Sequence, residues 1–147
     1  MTPVSVKAAC KSYKTTLIKF EELVTIFGTQ IAIEHGFGEE VLNDLSTRKT
    51  RYFEVLGEII EVSISPTASK YIVGKIEFNL IIDSGKKSKD KSLLLLCYLN
   101  SDGEIAFKLD DNRVFENYFD LEESFIEMYI TKVVLQEILE HYGINTH

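Results

Sequence analysis

The sequence predicts an α+β domain, with N-terminal helices, a four-stranded antiparallel β-meander and a long C-terminal helix packed on the sheet. Three observations carry this prediction. Apolar residues recur every three or four positions near both ends of the chain, the period of a helix with one buried face. From Tyr52 to Leu109 they alternate instead, the period of a strand with one buried face. The connections between the alternating runs are too short for crossovers, so neighbouring strands run antiparallel. At 147 residues the chain is ordinary for a single domain, taken here as 1–147.

The first helical stretch runs from Val4 to His35, with Leu17, Phe20, Val24, Phe27 and Ile31 on one face, widened by Leu23 and Ile26. Gly28 and Thr29 interrupt it, which allows two helices with a bend. His35-Gly36 reads as its end, a cation near the last carbonyls followed by a residue that tolerates a left-handed turn. Gly38-Glu39-Glu40 then opens a second short helix with Val41, Leu42 and Leu45 as its apolar face, since acids suit a first helical turn. A competing reading extends this helix through Tyr52 and Leu56 to Gly57.

In the sheet region Phe53 and Val55 share one parity, and Ile60, Val62 and Ile64 the other. A β-bulge beside Gly57 would keep both sets on the core face. Pro66-Thr67-Ala68-Ser69 has turn chemistry. Ile72, Gly74, Ile76, Phe78, Leu80 and Ile82 alternate with polar residues and define the clearest strand. Leu93 to Leu99 is apolar on both faces, which predicts a central strand covered on both sides. Asn100-Ser101-Asp102-Gly103 is a hairpin turn with its glycine where a positive φ is needed, and Ile105, Phe107 and Leu109 complete that hairpin.

The last helix is predicted to start at Asp120, with Glu123 in capping-box position, and to stop at Gly143. Leu121, Phe125, Met128, Tyr129, Val133, Leu135, Ile138, Leu139 and Tyr142 form one apolar set, and Ile126, Ile130 and Val134 a second stripe. Two stripes are wider than one sheet contact needs. The second stripe is therefore the candidate interface for another subunit, and a homo-oligomer, most simply a homodimer, is expected.

Composition excludes several classes. Hydrophobic residues make up 45% and charged residues 27%, which is globular rather than disordered. The net charge of -7 argues against a general nucleic-acid binder, whose affinity comes from neutralising phosphates. The first residues lack the apolar region of a targeting signal, and no apolar run approaches the ~20 residues of a membrane helix, so a cytoplasmic protein with no membrane partner is expected, bacterial in source. Cys10 and Cys97 belong to no paired motif and read as reduced, largely buried thiols.

The candidate constellations are sparse. Glu34-His35 and Glu39-Glu40 flank a glycine-rich corner, but no second histidine stands at metal-ligand spacing, so no metal and no cofactor are predicted. Asp110-Asp111-Asn112, with Arg113, lacks the calcium-loop pattern. The lysines of 86–91, and Lys7, Lys11 and Lys14, read as solvated. His141 and His147 stand near the end of the sequence with no nucleophile motif to serve. Tyrosines are the richest resource, and His35, Tyr52, Tyr71 and Tyr98 are the candidates to line a ligand cleft between the sheet and the N-terminal helices. No catalytic residue is identified. The leading expectation is a non-catalytic binding or protein-interaction module. The alternatives are a small-molecule-binding protein or enzyme using that cleft, and an acidic inhibitor-type protein that meets a basic partner.

Overall fold

The structure is a computed structural model that describes residues 5–26, 37–41, 44, 46–68, 72–82, 90–109, 115, 118–121 and 124–144, with the side chains of 37–39, 68 and 124–127 excepted. Among these residues the chain forms helix α1 (Val6–Ile26), strands β1 (Phe37–Glu40), β2 (Thr50–Val55), β3 (Glu58–Ala68), β4 (Ile72–Ile82), β5 (Asp90–Leu99), β6 (Glu104–Ala106) and β7 (Phe119–Asp120), and helix α2 (Ser124–His141). The strands make one antiparallel sheet in sequential order, so the α+β class holds and the meander has seven described strands rather than four. No described helix is long and apolar enough to cross a membrane.

Helix α1 begins where Ser5 Oγ accepts a hydrogen bond from the Ala8 N–H at 3.1 Å. This N-cap satisfies one of the unpaired donors of the first turn and contributes about 1 kcal/mol. Leu17, Phe20, Leu23 and Val24 are buried against the sheet, as their spacing predicts. The first two turns run past the sheet, which leaves Val6 and Cys10 exposed. Cys10 thus departs from its expected burial, whereas Cys97 is fully buried. Phe27, Ile31 and the proposed ending at His35-Gly36 lie outside the described residues.

Four local expectations are overturned, each by the way the strands pair. Gly38-Glu39-Glu40 does not open a helix; it belongs to strand β1. The Val41 N–H donates to the Tyr52 carbonyl at 2.8 Å, and the Glu40 carboxylate accepts two bonds from Arg51, at 2.6 and 2.7 Å. That forked pair ties β1 to β2. Gly57 is not a bulge within one strand but half of a two-residue turn, with Leu56 at φ 54° and Gly57 at φ 80°. Two successive positive φ values give the turn whose twist matches an antiparallel hairpin. The change of parity follows, because Phe53 now lies opposite Ile60.

Pro66 does not start a turn either. It sits inside β3, opposite Gly74. The N–H of Ile64 points toward the β2 side, where it reaches the Lys49 carbonyl at 3.0 Å. Two residues on, Pro66 points its nitrogen the same way, past the end of β2, so its missing N–H costs no ladder bond. Asp120 does not cap the last helix; it pairs with Glu104 as part of β7. Helix α2 starts at Ser124 instead. Its far end is as expected: the Gly143 N–H returns to the Glu140 carbonyl at 2.9 Å and the Ile144 N–H to that of Leu139 at 3.0 Å, the paired bonds of a Schellman motif.

Both helices pack on the same face of the sheet. Thr16 of α1 closes over Gly74 together with Ile64, and Glu21 pairs with Arg48 just before β2. Helix α2 crosses the rest of the face, from Tyr129 edge-on to Phe107 (ring centroids 5.1 Å apart) to His141 and Tyr142 beside Gly57. The core between them holds Phe53, Ile60, Val62, Ile76, Phe78, Leu80, Cys97 and Leu99 from the strands, and Ile130, Val134 and Ile138 from α2. In β5 the register slips by one residue: Phe78 faces Leu95 and Asn79 faces Leu93, so Leu94 is the extra residue of a bulge. Leu94 and Leu95 both join the core, whereas Leu93 is 54% exposed. Strand β5 is therefore not covered on both sides by the described helices.

A Cβ added at Gly74 would stand 2.9 Å from Ile64 Cγ1 and 3.2 Å from Thr16 Cγ2. We expect Gly74→Ala to destabilise the fold by about 1–3 kcal/mol through overpacking, read as a lower urea midpoint. Leu56 is half exposed in a left-handed conformation. Leu56→Gly relieves that strain, less the entropy cost of the added glycine, and should raise stability by up to about 1 kcal/mol, read as a higher urea midpoint.

Candidate functional site

Antiparallel alternation decides what the face opposite the two described helices presents. Tyr52, Glu61, Asn79 and Leu93 are successive cross-strand partners along one row of that face. The next rows bring Ser63, Glu77 and Leu96 together, then Ser65, Lys75, Tyr98 and Ala106. On the other side of the Tyr52 row lie Glu54, Ile59, Ile81 and Lys91.

The centre of this face is polar yet buried: Tyr52 and Glu61 are 6% exposed and Asn79 7%. The Tyr52 hydroxyl donates to Glu61 Oε2 at 3.0 Å. Lys91, from two strands away, donates to Glu61 Oε1 at 2.8 Å. A buried carboxylate costs several kcal/mol unless both oxygens find donors, and here each has one. Lys91 is half exposed, so the buried acid is neutralised from the surface. Burial first, and then the hydrogen bond to Glu61 and its charge, push the Tyr52 phenol up to about 12. At neutral pH it stays protonated and serves as a fixed donor, not as a base or nucleophile. Burial likewise pushes the Cys97 thiol up to about 12, which removes it as a nucleophile.

A second polar group lies at the far end of α2. A cleft of about 430 Å³ is walled by Ile59, Leu80 and Ile81, with Glu58, His141 and Tyr142 at its rim. Glu58 raises the Tyr142 phenol pKa above its ordinary value, chiefly by accepting from its hydroxyl, with lesser contributions from burial and the Glu58 charge. The His141 and Tyr142 rings meet edge to face with centroids 5.4 Å apart.

The predicted site residues do not converge. Tyr52 and Tyr98 share the face opposite the two described helices, but on β2 and β5, three strand spacings (about 14 Å) apart across the sheet and two rows apart along it. His35 and Tyr71 lie outside the described residues. The expected cleft between the N-terminal helix and the sheet is filled where Thr16 and Ile64 close over Gly74. Near that contact, burial raises the Tyr13 phenol pKa, and its hydroxyl has no hydrogen-bond partner among the described residues. Ile130 and Val134 are fully buried in the chain's own core against the sheet, so the stripe expected to meet a second subunit meets β5 instead. Ile126 lies in α2, with its side chain outside the description. Asp110 to Arg113, the lysines at 86, 87 and 89, and His147 also lie outside it. Among the described residues no three metal-binding side chains cluster.

Glu61 and Lys91 were not singled out from sequence. Glu61 stands at an outward-facing position between Ile60 and Val62, where a charge normally reads as solvated, and Lys91 closes a lysine-rich loop. Only the register that sets Glu61 beside Tyr52 and within reach of Lys91 reveals the group. No known protein family, characterised protein or solved structure matches the chain, so its chemistry is argued from this geometry.

Tyr52→Phe removes a donor from a buried carboxylate and should cost about 1.5–3 kcal/mol in urea unfolding at neutral pH. The phenol is raised in the fold above its unfolded value near 10. Its protonated form is thus the one the fold favours, and the resulting stability is complete below pH ~10 and lost as pH rises toward ~12. Stability measured across that window should fall less steeply for Tyr52→Phe than for the wild type.

Proposed function

We propose that the protein is a non-catalytic binding module that self-associates through the face of its sheet opposite α1 and α2. The observation that carries this reading is the outward row of β5: Leu93 is 54% exposed, and Leu96 and Tyr98, largely but not fully buried, stand beside it on a face that neither described helix covers. Apolar side chains grouped on one surface mark an interface rather than scattered surface variation. Ile59 and Ile81, also partly exposed, extend the surface past the Tyr52–Glu61–Lys91 group.

The charges favour a second copy as the occupant. Lys75 and Glu77 lie on this same face, 3.5 Å apart, flanking the positions of Leu96 and Tyr98 across the ladder. A two-fold axis brings the same patch against itself, so a surface with adjacent charges of both signs is self-complementary. Two chains that each carry -7 repel at long range, while the contact itself is apolar and locally balanced. Salt should therefore tighten the association by screening the repulsion, the opposite of what a contact between oppositely charged partners does. The raised Tyr52 phenol and the buried Cys97 thiol support a binding role over a catalytic one. Cys10, free and exposed, fits a reducing, cytoplasmic setting.

Native mass spectrometry and light scattering test the reading. The wild type should be dimeric in the micromolar range and more so at higher salt. Leu93→Glu combined with Leu96→Glu should give a monomer with an unchanged urea midpoint. A monomeric wild type, or a dimer that survives both substitutions, would sink the proposal.

A further inference from the structure

We infer that the cleft at the C-terminal end of α2 binds a small organic cation, an ammonium group carried on a short apolar body. Its volume, about 430 Å³, lies in the range of small-ligand sites. Three independent features set the sign of the ligand. The Glu58 carboxylate lines the cleft beside Tyr142, and its oxygens have acceptor capacity for an incoming donor. Helix α2 ends here, and a helix C-terminus carries partial negative charge from its last carbonyls. The Gly143 and Ile144 N–H groups cap two of those carbonyls without bringing a formal charge. The Tyr142 and His141 rings, set edge to face, offer aromatic surface, and a ring face attracts an ammonium.

The surroundings agree. Neither lysine nor arginine lines the cleft. Asp90 lies across the ladder from Ile82, a further lining residue, and adds an exposed carboxylate at the same end of the sheet. Lys91 stands across the ladder from Ile81, and its ammonium is engaged by Glu61. Leu80 and Ile81 from β4 and Ile59 from β3 supply walls for an apolar body of a few carbons. An anionic ligand would face a carboxylate and the negative end of a helix with no lysine or arginine on the lining to receive it. This site lies at the tip of the β2–β3 hairpin; it shares Ile59 and Ile81 with the margin of the dimer face proposed above but not Leu93, Leu96 or Tyr98.

The test is a titration of the full chain with phenethylammonium chloride, followed by amide NMR at mildly alkaline pH and fixed ionic strength. Phenylacetate, of similar size and opposite charge, is the control. Phenethylammonium should produce saturable shifts at Gly57, Glu58, Tyr142 and Gly143, and phenylacetate none. Glu58→Gln, close in shape, should weaken binding at least about tenfold, the loss of one charge-assisted bond, while the rest of its spectrum stays that of the wild type. Tyr142→Ala should weaken it as well, by removing the ring that lines the cleft beside Glu58. Absence of saturable shifts into the tens of millimolar, equal shifts with phenylacetate, or unchanged affinity in Glu58→Gln would each overturn the inference.

Discussion

Ile76, Phe78 and Leu80 leave the central strand β4 on one side, and the two described helices compete for the layer above them. Everything else in the fold follows from both helices settling on that side. A strand can send only alternate residues to a given face, so committing the apolar parity of β2, β3 and β4 to α1 and α2 assigns the opposite parity to the other face. Gly74 makes the arrangement possible at its tightest point, because Thr16 and Ile64 occupy the space a side chain would need. Helix α2 then takes the remaining half of the face, with Ile130, Val134 and Ile138 inward.

The opposite face is left with an uneven set of side chains. At its centre a carboxylate is buried and answered by a tyrosine and a lysine from two other strands. Such a group adds little net stability, since desolvation offsets much of the attraction, but it penalises any register that separates its members. A slip of one residue would place Glu61 among the core side chains and leave it without either donor. The edges are handled separately. Where β2 stops and β3 continues alone, Pro66 occupies the exposed side and removes a donor that another strand would otherwise find. The outer strands β1 and β7 are short, which limits edge-to-edge pairing in the same way.

Legibility in the sequence tracked the range of the interactions. The buried face of α1, the alternation of β4, the positive φ of Gly103 and the stop at Gly143 were all readable, because each depends on residues a few positions apart. The misreadings share one cause. Gly38-Glu39-Glu40 resembles a helix start until Arg51 and Tyr52 supply bonding partners. Pro66 resembles a turn until the end of β2 makes its lost donor harmless. Asp120 resembles a cap until Glu104 pairs with it. Leu56-Gly57 was read as a bulge because a parity change is the same signal whether the chain kinks or reverses. The run from Leu93 to Leu99 was read as covered on both sides because an apolar residue looks alike whether it faces a helix or a bare surface. The tyrosines nominated as ligand contacts showed only that aromatic surface was available, and Tyr52 and Tyr98 proved to lie far apart on one face.

By itself, the sequence determined the class of the fold, the long helices near the two ends of the chain and the antiparallel strands between them. Those follow from hydrophobic period and short connections, which are properties of neighbouring residues. Tertiary structure decided which face of the sheet the helices share, that Glu61 would be buried with Tyr52 and Lys91, that Ile130 and Val134 would be core, and that Glu58 would meet Tyr142 at a cleft. Each of these depends on registers and crossings that join residues tens of positions apart. A local pattern gives the energy of such a contact no weight until the chain has closed the loop that forms it.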